Sequence, residues 1–334
     1  MRTAVFSTKS YDKEYLELAN AGKHELVFFE SSLKARNVVL AEGFEAVCAF
    51  VNDNVSKEVI EDLDKIGIKL IVLRCAGFNN IDIETAANHN ITVLRVPAYS
   101  PQAIAEHATA LILTLARKTH KAYNRVRDGN FSLDRLIGYD LFGKTVGIIG
   151  TGRIGAALAN IMLGFGCKII AFDSYQNKEL IEKGVEYMSQ DELFTKADII
   201  SLHCPLTPET HHMINRESLN KMKKGVMLIN TSRGKLIDTE AAIEFLKDEH
   251  LGYLGIDVYE MEEKIFYKDL SEVVIRDDKI SRLVNFPNVL ITAHQAFLTD
   301  NALTQIATTT IDNITGYEEG SFNKANEVTH DMVK

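Results

Sequence analysis

The chain has 334 residues, of which 46% are hydrophobic and 25% charged, which is typical of a globular protein with a large buried core. At roughly 150 residues per domain, this length predicts two domains. The formal net charge of −9 argues against a nucleic-acid-binding protein, which needs a basic face to neutralise phosphates.

No part of the sequence has the character of a membrane-spanning or exported segment. The longest stretch without Asp, Glu, Lys or Arg, residues 283–299, is interrupted by polar residues, whereas a span needs roughly 20 mostly apolar residues. The N-terminal apolar run is too short for a signal peptide. The four cysteines lie in or beside apolar runs and form no Cys-x-x-Cys pair. We therefore predict a cytoplasmic protein with reduced, buried thiols and no nucleic-acid or membrane partner.

Short apolar runs alternate with amphipathic segments through the first hundred residues. Five of these runs are continuous rather than alternating in polarity, which is typical of parallel strands buried on both faces. They comprise residues 3–8, 25–30, 46–51, 69–74 and 92–96. The segment Lys57–Gly67 between two of them has a helical pattern. This alternation predicts a doubly wound α/β domain.

A proline-bracketed linker, Pro97 to Pro101, follows the fifth run. After it the pattern predicts one helix from about Gln102 to Asp128. The first half of this helix is apolar nearly all round, which predicts burial on several sides, at a domain seam or a subunit interface.

The middle of the chain repeats the pattern of strands and helices. Six further apolar runs lie at residues 145–150, 168–173, 198–203, 226–231, 253–258 and 289–294. They predict a second parallel sheet of at least six strands. The last helix, about Asp300 to Glu318, is expected to return to the first domain and so to make that domain discontinuous.

A Gly-x-Gly-x-x-Gly motif, Gly150, Gly152 and Gly155, directly follows a predicted strand and opens an apolar helix. The next predicted strand ends in Asp173. This context is that of a dinucleotide-binding turn, in which the free amides of the helix N-terminus face a pyrophosphate. A carboxylate at Asp173 favours NAD, because it accepts bonds from ribose hydroxyls and repels a 2′-phosphate. The alternatives are a Gly-rich turn without a ligand and an exposed strand-end Asp.

Three polar residues follow three predicted strands and together suit the reduction of a 2-keto acid. Arg233 holds a carboxylate through two parallel bonds, and His294 delivers a proton to a carbonyl oxygen. A neighbouring carboxylate favours the imidazolium form of such a histidine. The acidic stretch offers Glu260, Glu262 and Glu263 for that role, and composition does not choose among them. Each residue also has a purely structural alternative.

The remaining histidines do not predict a metal site. His211 and His212 are adjacent in sequence, so their side chains should not share one face of a helix or strand, and no third ligand follows at metal spacing. His107 and His120 lie on the apolar helix and are expected to serve packing or an interface. The sequence therefore predicts no metal.

The chain resembles the NAD-dependent D-2-hydroxyacid dehydrogenase family, and within it the fermentative D-lactate dehydrogenases of bacteria. The resemblance runs nearly end to end and in the right order. Its segments are AVFSTKSYD, RCAGFNNID, RVPAYSP, AEHA, GIIGTGRIG, SLHCPLTPET, NTSRG, DVYE and TAHQAF. One departure is Thr210, where some relatives carry Asn.

The resemblance implies a fold and a set of site residues. The implied fold is α/β with two doubly wound parallel-sheet domains: a Rossmann NAD-binding domain, residues 99–298, inserted in a smaller flavodoxin-like substrate domain, residues 1–98 and 299–334. The implied catalytic residues are His294 as acid/base, Glu262 orienting it and Arg233 holding the substrate carboxylate. The implied NAD contacts are Gly150, Gly152, Arg153, Ile154, Gly155, Asp173, Cys204, Pro205, Thr231, Ser232 and Asp257. The implied substrate contacts are the amides around Ala76 and Gly77 and the side chains of Tyr99 and Phe297.

The activity implied is the NADH-dependent, reversible reduction of pyruvate to D-lactate by a homodimer or homotetramer. A second possibility is another small D-2-hydroxy acid, such as 2-hydroxyisocaproate or glycerate. A phosphorylated substrate would need further cations near Gly77, where the sequence offers only Arg74. A third possibility is an NAD-sensing binding protein of the corepressor type, which only turnover distinguishes from an enzyme.

Overall fold

The computed structural model of the protein describes residues 1–332. The chain divides into two compact units. The first unit comprises Met1–Ser100 and the chain from Leu298 onward, and the second comprises Pro101–Phe297. Each unit is built on a single all-parallel sheet, as the alternation of strands and helices predicts.

The sheet of the first unit has five strands in the order β2-β1-β3-β4-β5, the flavodoxin-like order. The strands are β1 (Arg2–Val5), β2 (Glu25–Phe28), β3 (Ala46–Ala49), β4 (Leu70–Leu73) and β5 (Thr92–Arg95). The register places Val47 of β3 level with Ala4 of β1 and Ile71 of β4. All five predicted strands are confirmed, but β2 is an edge strand without a fully buried residue, so burial on both faces was wrong for it.

Helices cover both faces of this first sheet. They are α1 (Ser10–Asn20), α2 (Lys57–Lys65), α3 (Ile83–Asn88) and, from the end of the chain, α12 (Asp300–Glu318). Helix α2 is amphipathic and buries Val59, Ile60 and Leu63. Helix α12 packs against α1 and against β4 and β5, so the end of the chain completes the core of the first unit.

The sheet of the second unit has seven strands in the order β12-β11-β10-β9-β6-β7-β8. They are β6 (Thr145–Ile149), β7 (Lys168–Phe172), β8 (Glu186–Tyr187), β9 (Ile199–Leu202), β10 (Val226–Asn230), β11 (Leu251–Ile256) and β12 (Val289–Ile291). The order reverses between β6 and β9, and such a switch point is where doubly wound sheets bind ligands. The six predicted strands are confirmed; β8, only two residues long, was not predicted.

The second unit has eight helices. They are α4 (Pro101–Arg117), α5 (Thr119–Arg127), α6 (Arg153–Gly164), α7 (Lys178–Glu182), α8 (Gln190–Lys196), α9 (Arg216–Lys221), α10 (Thr239–Lys247) and α11 (Asp278–Leu283). Helix α5 contacts α4 rather than the sheet. Helix α4 packs on α6 and on β10 and β11, in the core of its own unit. Its apolar surface is therefore buried without a partner subunit.

The predicted single helix over residues 102–128 is wrong, because two helices occupy this segment. Lys118 between α4 and α5 has a left-handed backbone with φ 53°, which breaks the helical path. Neither Gly nor Pro occurs at this position, so the sequence pattern does not indicate the break.

All four cysteines, Cys48, Cys75, Cys167 and Cys204, are free and buried, as predicted. Across residues 1–332, no helix combines the length and the apolar character that crossing a membrane requires.

Candidate active site

The Gly-rich turn between β6 and α6 is shaped by close backbone packing. Gly150 has φ +90°, and a Cβ there would lie 2.7 Å from the backbone nitrogen of Cys204. A Cβ on Gly155 would lie only 1.9 Å from the carbonyl oxygen of Gly150. Both positions therefore require glycine. A Cβ on Gly152, by contrast, would meet nothing within 4 Å, so open space lies beside the turn.

That open space adjoins the N-terminus of α6. The N-cap residue is Gly152, which supplies no side-chain cap. The first amides of the helix, those of Arg153, Ile154 and Gly155, have no partner within the helix. They form a donor set suited to the pyrophosphate of a dinucleotide.

Asp173 lies at the end of β7 and is held in place by backbone donors. Its Oδ2 accepts bonds from the backbone nitrogen and hydroxyl of Thr151, at 2.5 and 3.1 Å, and its Oδ1 accepts one from the nitrogen of Tyr175 at 3.0 Å. A carboxylate offers about four lone-pair sites, so acceptor capacity remains for ribose hydroxyls. Its orientation is therefore fixed while its function as an acceptor is retained.

Four further residues predicted to contact NAD, Cys204, Pro205, Thr231 and Ser232, follow β9 and β10. Pro205 is exposed, Cys204 is buried, and the hydroxyl of Ser232 donates to the carbonyl of Cys204 at 2.7 Å, which ties the two strand ends together. Within the described residues 1–332, Thr231 Oγ1 is buried without a hydrogen-bond partner. A buried polar atom of this kind at the sheet edge fits a ligand contact. The residues present thus fit a dinucleotide.

Thr210 closes its own loop. Its hydroxyl donates to the carbonyl of Pro205 at 2.7 Å and accepts from the nitrogen of Thr207 at 2.8 Å. The hydroxyl of Thr210 therefore has a structural role in this loop.

The three candidate catalytic residues follow three adjacent parallel strands at the same sheet edge. Arg233 lies after β10, Glu262 after β11 and His294 after β12. The structure brings two of them into contact: His294 Nδ1 lies 2.9 Å from Glu262 Oε1, and each side chain is 19% exposed. The other carboxylate oxygen of Glu262 accepts from the nitrogen of Tyr259 at 2.9 Å, which fixes its orientation.

The neighbouring acids have other positions. Glu260 accepts from Thr239 Oγ1 at 2.9 Å and lies 2.8 Å from His212 Nε2. Glu263 is exposed. Among the three acids that composition could not separate, Glu262 is therefore the partner of His294.

Arg233 begins a short 3-10 turn, residues 234–236, and its Nη1 donates to the carbonyl of Ser232 at 2.8 Å. No carboxylate among residues 1–332 forms an ion pair with it. The chain beside it is tightly packed, since a Cβ on Gly234 would lie 2.1 Å from the carbonyl carbon of Tyr259. A guanidinium without a protein carboxylate is available to an anionic ligand.

Asp257 is predicted to contact NAD, and in the free protein it holds the loop that carries His294. It is fully buried, and its carboxylate accepts from the nitrogens of Gln295 and Ala296, each at 2.9 Å. Its carbonyl accepts from the nitrogen of His294 at 2.7 Å. Burial alone would raise the pKa of Asp257, but hydrogen bonds from His107, Thr292 and these amides outweigh it and lower the pKa. The carboxylate therefore stays ionised.

Sequence reasoning missed the side chains that complete this network. Thr292 Oγ1 donates to Asp257 Oδ1 at 2.5 Å, and His107 Nε2 lies 2.9 Å from the same hydroxyl. Tyr267 donates to the carbonyl of His294 at 3.1 Å. His107 was assigned to packing or an interface because its partner is distant in sequence, and only the fold reveals it.

The predicted substrate residues lie on two units. Ala76 and Gly77 are half-buried in the loop after β4, where Cys75 Sγ donates to the carbonyl of Gly77 at 3.2 Å. Tyr99 is half-buried near the end of the first unit, and Phe297 is buried in the second.

Arg74 was the cation that the sequence offered near Gly77, and this suggestion was wrong. Arg74 is 1% exposed, its Nε donates to Asp12 at 3.3 Å and its Nη2 donates to the carbonyl of Ser7 at 2.9 Å. It is a core residue of the first unit. The cation that does contact this loop is Arg95, whose Nη1 donates to the carbonyl of Ala76 at 2.7 Å.

His211 and His212 lie in a turn rather than in a helix or strand, and a turn can bring adjacent side chains together. Their ring centroids lie 4.0 Å apart, because His212 has a left-handed backbone with φ 51° that turns its side chain back. No set of three or more His, Cys, Asp or Glu side chains placed to hold a metal occurs among residues 1–332.

Comparisons with known proteins identify the family of this chain. Residues 109–296 match the family model described as D-isomer specific 2-hydroxyacid dehydrogenase, NAD binding domain. The chain is 52% identical over 321 residues to the D-lactate dehydrogenase of Escherichia coli K12, covering 96% of this chain and 98% of that protein. It is also 52% identical to a 2-hydroxyacid dehydrogenase homolog of Haemophilus influenzae, covering 96% and 97%.

A solved structure shares the whole fold. The D-lactate dehydrogenase of Aquifex aeolicus, complexed with NAD and lactic acid, superposes with a TM-score of 0.88 at 36% identity and with 98% of each chain covered. The two parallel sheets, the NAD-type turn after β6 and these similarities point to one conclusion. The chain belongs to the D-isomer specific 2-hydroxyacid dehydrogenases, enzymes that act with NAD.

Proposed function

We propose that this enzyme reduces pyruvate to D-lactate with NADH, reversibly. The observation that carries the proposal is the 2.9 Å contact between His294 Nδ1 and Glu262 Oε1 at the carboxyl edge of the second sheet. Similar proteins support the choice of substrate, since the E. coli relative is a D-lactate dehydrogenase and the A. aeolicus structure contains lactic acid.

His294 is the proposed proton donor. Its Nδ1 bond to Glu262 leaves Nε2 as the ring nitrogen available to a substrate oxygen. The carboxylate of Glu262 fixes the direction of the ring, so that a proton on Nε2 can be delivered to the keto oxygen. When bound, NADH supplies the hydride that the carbonyl carbon receives. In the reverse direction, neutral His294 accepts the hydroxyl proton of D-lactate.

Arg233 is the proposed holder of the substrate carboxylate. A guanidinium pairs with a carboxylate through two parallel bonds and stays charged at every working pH. Fixing the carboxylate also fixes the adjacent keto group, which contributes to catalysis by orientation. The amides of Ala76 and Gly77, with Tyr99 and Phe297 toward the methyl end, are the further substrate contacts that we propose.

The proposed NAD contacts are those that the family resemblance implies. The amides of Arg153 and Ile154 are assigned to the pyrophosphate, with Gly150, Gly152 and Gly155 permitting its approach. Asp173 is assigned to the adenosine ribose, Cys204 and Pro205 to the adenosine side, and Thr231 and Asp257 to the nicotinamide side. Ser232 is a further assigned contact. The buried, unpartnered Thr231 Oγ1 and the open space beside Gly152 support these assignments.

The substrate is tested by following NADH oxidation with pyruvate, 2-ketobutyrate, 2-ketoisocaproate, hydroxypyruvate and glyoxylate, and by assaying the handedness of the product. We expect the highest kcat/KM on pyruvate and a D product. A higher value on a bulkier or hydroxylated keto acid would change the substrate and keep the chemistry. NADH binding without turnover on any of them would favour an NAD-sensing binding protein.

The role of His294 is tested by His294→Ala. Loss of the proton donor should lower kcat by roughly 10²- to 10⁴-fold, because that is the usual contribution of a general acid. NADH affinity, measured by fluorescence titration, should stay within about twofold of wild type. His330→Ala, at an exposed histidine, is the matched control and should leave both quantities unchanged. Near-normal turnover of His294→Ala would contradict the assignment.

We also propose that the enzyme is a cytoplasmic homodimer or homotetramer. Three large apolar side chains in the segment after α5 are strongly exposed: Phe131 at 75%, Leu133 at 79% and Ile137 at 85%. Such a cluster on a surface is typical of a protein contact, and a second copy is the proposed partner. Four free, buried thiols support a reducing compartment.

A further inference from the structure

Arg95, the last residue of β5, extends its side chain over the loop that follows β4. Its Nη1 donates to the carbonyl of Ala76 at 2.7 Å, and its guanidinium carbon lies 5.0 Å from the centroid of the Phe78 ring. Its own backbone is anchored, because Asn313 of α12 donates to the carbonyl of Arg95 at 3.0 Å. The guanidinium is therefore placed by the core of the first unit.

The charge of Arg95 is uncompensated. Among residues 1–332 no Asp or Glu oxygen forms an ion pair with it, and its Nε is buried without a hydrogen-bond partner. Arg74, by contrast, pairs with Asp12 in the same unit. Burial lowers the pKa of Arg95, as expected for a cation removed from water. A half-buried cation without a counter-charge destabilises the free protein unless an anion approaches it.

The bond to Ala76 acts on the next amide. Within a trans peptide unit the C=O of Ala76 and the N–H of Gly77 point in opposite directions, and the described chain contains no cis peptide. A guanidinium bound to that oxygen therefore leaves the N–H of Gly77 directed away from Arg95. It also polarises the peptide, which strengthens the N–H as a donor by roughly 10–30%.

The peptide is held from its other side as well. Cys75 Sγ donates to the carbonyl of Gly77 at 3.2 Å. The two consecutive carbonyls of the loop, those of Ala76 and Gly77, thus each have a side-chain donor, and the intervening N–H is fixed in direction.

We propose that Arg95 is a positioning residue: it orients and polarises the Gly77 amide toward a substrate carboxylate, and its charge favours anionic over neutral carbonyl substrates. This inference rests on the proposed function, in which the amides of Ala76 and Gly77 hold that carboxylate.

The test compares Arg95→Gln and Arg95→Lys with wild type. In Arg95→Gln we expect the KM for pyruvate and the inhibition constant of oxamate, an unreactive carboxylate isostere, to rise about tenfold, the scale of one charge-assisted hydrogen bond. The kcat should change less than threefold and the Kd for NADH less than twofold. Arg95→Lys keeps the charge but not the planar donor, and should give intermediate values.

A merely structural role predicts a different pattern. It would change kcat, NADH affinity and melting temperature together, and that result, or a pyruvate KM within twofold of wild type, would overturn the proposal. Added methylguanidinium should lower the pyruvate KM of Arg95→Ala and leave wild type unaffected. The matched control is Arg2→Gln. The guanidinium of Arg2 also lies over an aromatic ring, 4.4 Å from the centroid of Phe44, but it forms an ion pair with Glu25.

Calorimetry of oxamate binding to the NADH-loaded protein separates this inference from the proposed function. If wild type binds oxamate and Arg95→Gln binds it about tenfold more weakly, the role of Arg95 stands even where pyruvate is not reduced. If wild type reduces pyruvate and Arg95→Gln binds oxamate as tightly as wild type does, the proposed function stands and the role of Arg95 fails.

Discussion

His294 has a left-handed backbone with φ 53°, a conformation that costs a residue with a side chain of order 1–3 kcal/mol. The cost is offset by hydrogen bonds that converge on its loop. The nitrogens of Gln295 and Ala296 donate to Asp257, and Tyr267 donates to the carbonyl of His294. Strain that a surrounding network maintains is common at functional sites, where it fixes the direction of a side chain.

Cofactor selectivity is the prediction attached to Asp173. In Asp173→Ala the ribose acceptor and the charge that repels a 2′-phosphate are both removed. We expect the ratio of kcat/KM for NADH to that for NADPH to fall by at least about tenfold. Asp191→Ala, on an exposed side chain elsewhere in the second unit, is the control. An unaltered ratio in Asp173→Ala would contradict the ribose contact.

His203, which directly follows β9, should make the free energy of unfolding depend on pH. Burial lowers its pKa from 6.5 to about 4, and its Nε2 lies 2.8 Å from Ser201 Oγ. Between these two values the unfolded chain binds a proton that the folded chain does not. The free energy of unfolding therefore falls as the pH is lowered from 6.5 toward 4, by up to about 3 kcal/mol from this residue.

The measurement is urea unfolding of the free protein at several pH values across this window. His203→Gln keeps a polar group near Ser201 and cannot be protonated, so its stability should depend less steeply on pH. His330→Gln, at an exposed position, should reproduce the wild-type slope. Equal slopes for wild type and His203→Gln would show that His203 does not titrate as argued.

At the residue scale, sequence reasoning identified strand-end side chains but not their partners. Arg233 and His294 follow apolar runs, which is a local signal. The choice of Glu262 among three acids depended on resemblance, and the pairing of Glu260 with His212 depends on two loops meeting in space. Thr292, His107 and Arg95 act through contacts with residues distant in sequence, so no local pattern indicates them.

At the element scale, we predict that alanine has different effects at two glycines near the start of α6. A Cβ on Gly155 would lie 1.9 Å from the carbonyl of Gly150, so Gly155→Ala must separate the helix from β6 and should destabilise the protein by about 1–3 kcal/mol. A Cβ on Gly152 would meet nothing within 4 Å, so the free energy of unfolding of Gly152→Ala should lie within about 0.5 kcal/mol of the wild-type value. Its methyl group should nevertheless lower NADH affinity at least about tenfold.

Thermal unfolding and NADH titration of both variants check this contrast. A stable Gly155→Ala would mean that helix and strand can separate at little cost. Normal NADH affinity in Gly152→Ala would place the pyrophosphate away from this turn.

Strands and long helices were predictable because they are continuous apolar runs or carry clear boundaries, as α12 does at Asp300–Glu318. Two features escaped for physical reasons. The two residues of β8 are too short to show any periodicity. The break at Lys118 is a backbone conformation at a residue type that rarely adopts it, so tertiary packing overrides the local pattern.

At the scale of the whole molecule, self-association is the prediction. Leu133→Asp combined with Ile137→Asp places two charges on the exposed apolar cluster after α5. We expect wild type to have the mass of a dimer or tetramer by light scattering, and the double variant to dissociate. Leu18→Asp, at a side chain 71% exposed on α1, should not change the mass. A monomeric wild type would contradict the proposal, as would a double variant of unaltered mass.

The discontinuity of the first unit has a consequence for how the chain is made. Helix α12 covers β4 and β5 and packs on α1, yet it follows the whole of residues 101–297 in the chain. At about 5–20 residues per second, a ribosome takes roughly 10–40 s to produce that intervening segment. During this interval β4 and β5 exist without the helix that covers them, while the second unit has its complete sequence before α12 emerges. The nascent first unit therefore exposes the apolar surface that α12 later covers, and the second unit can fold before the first is complete.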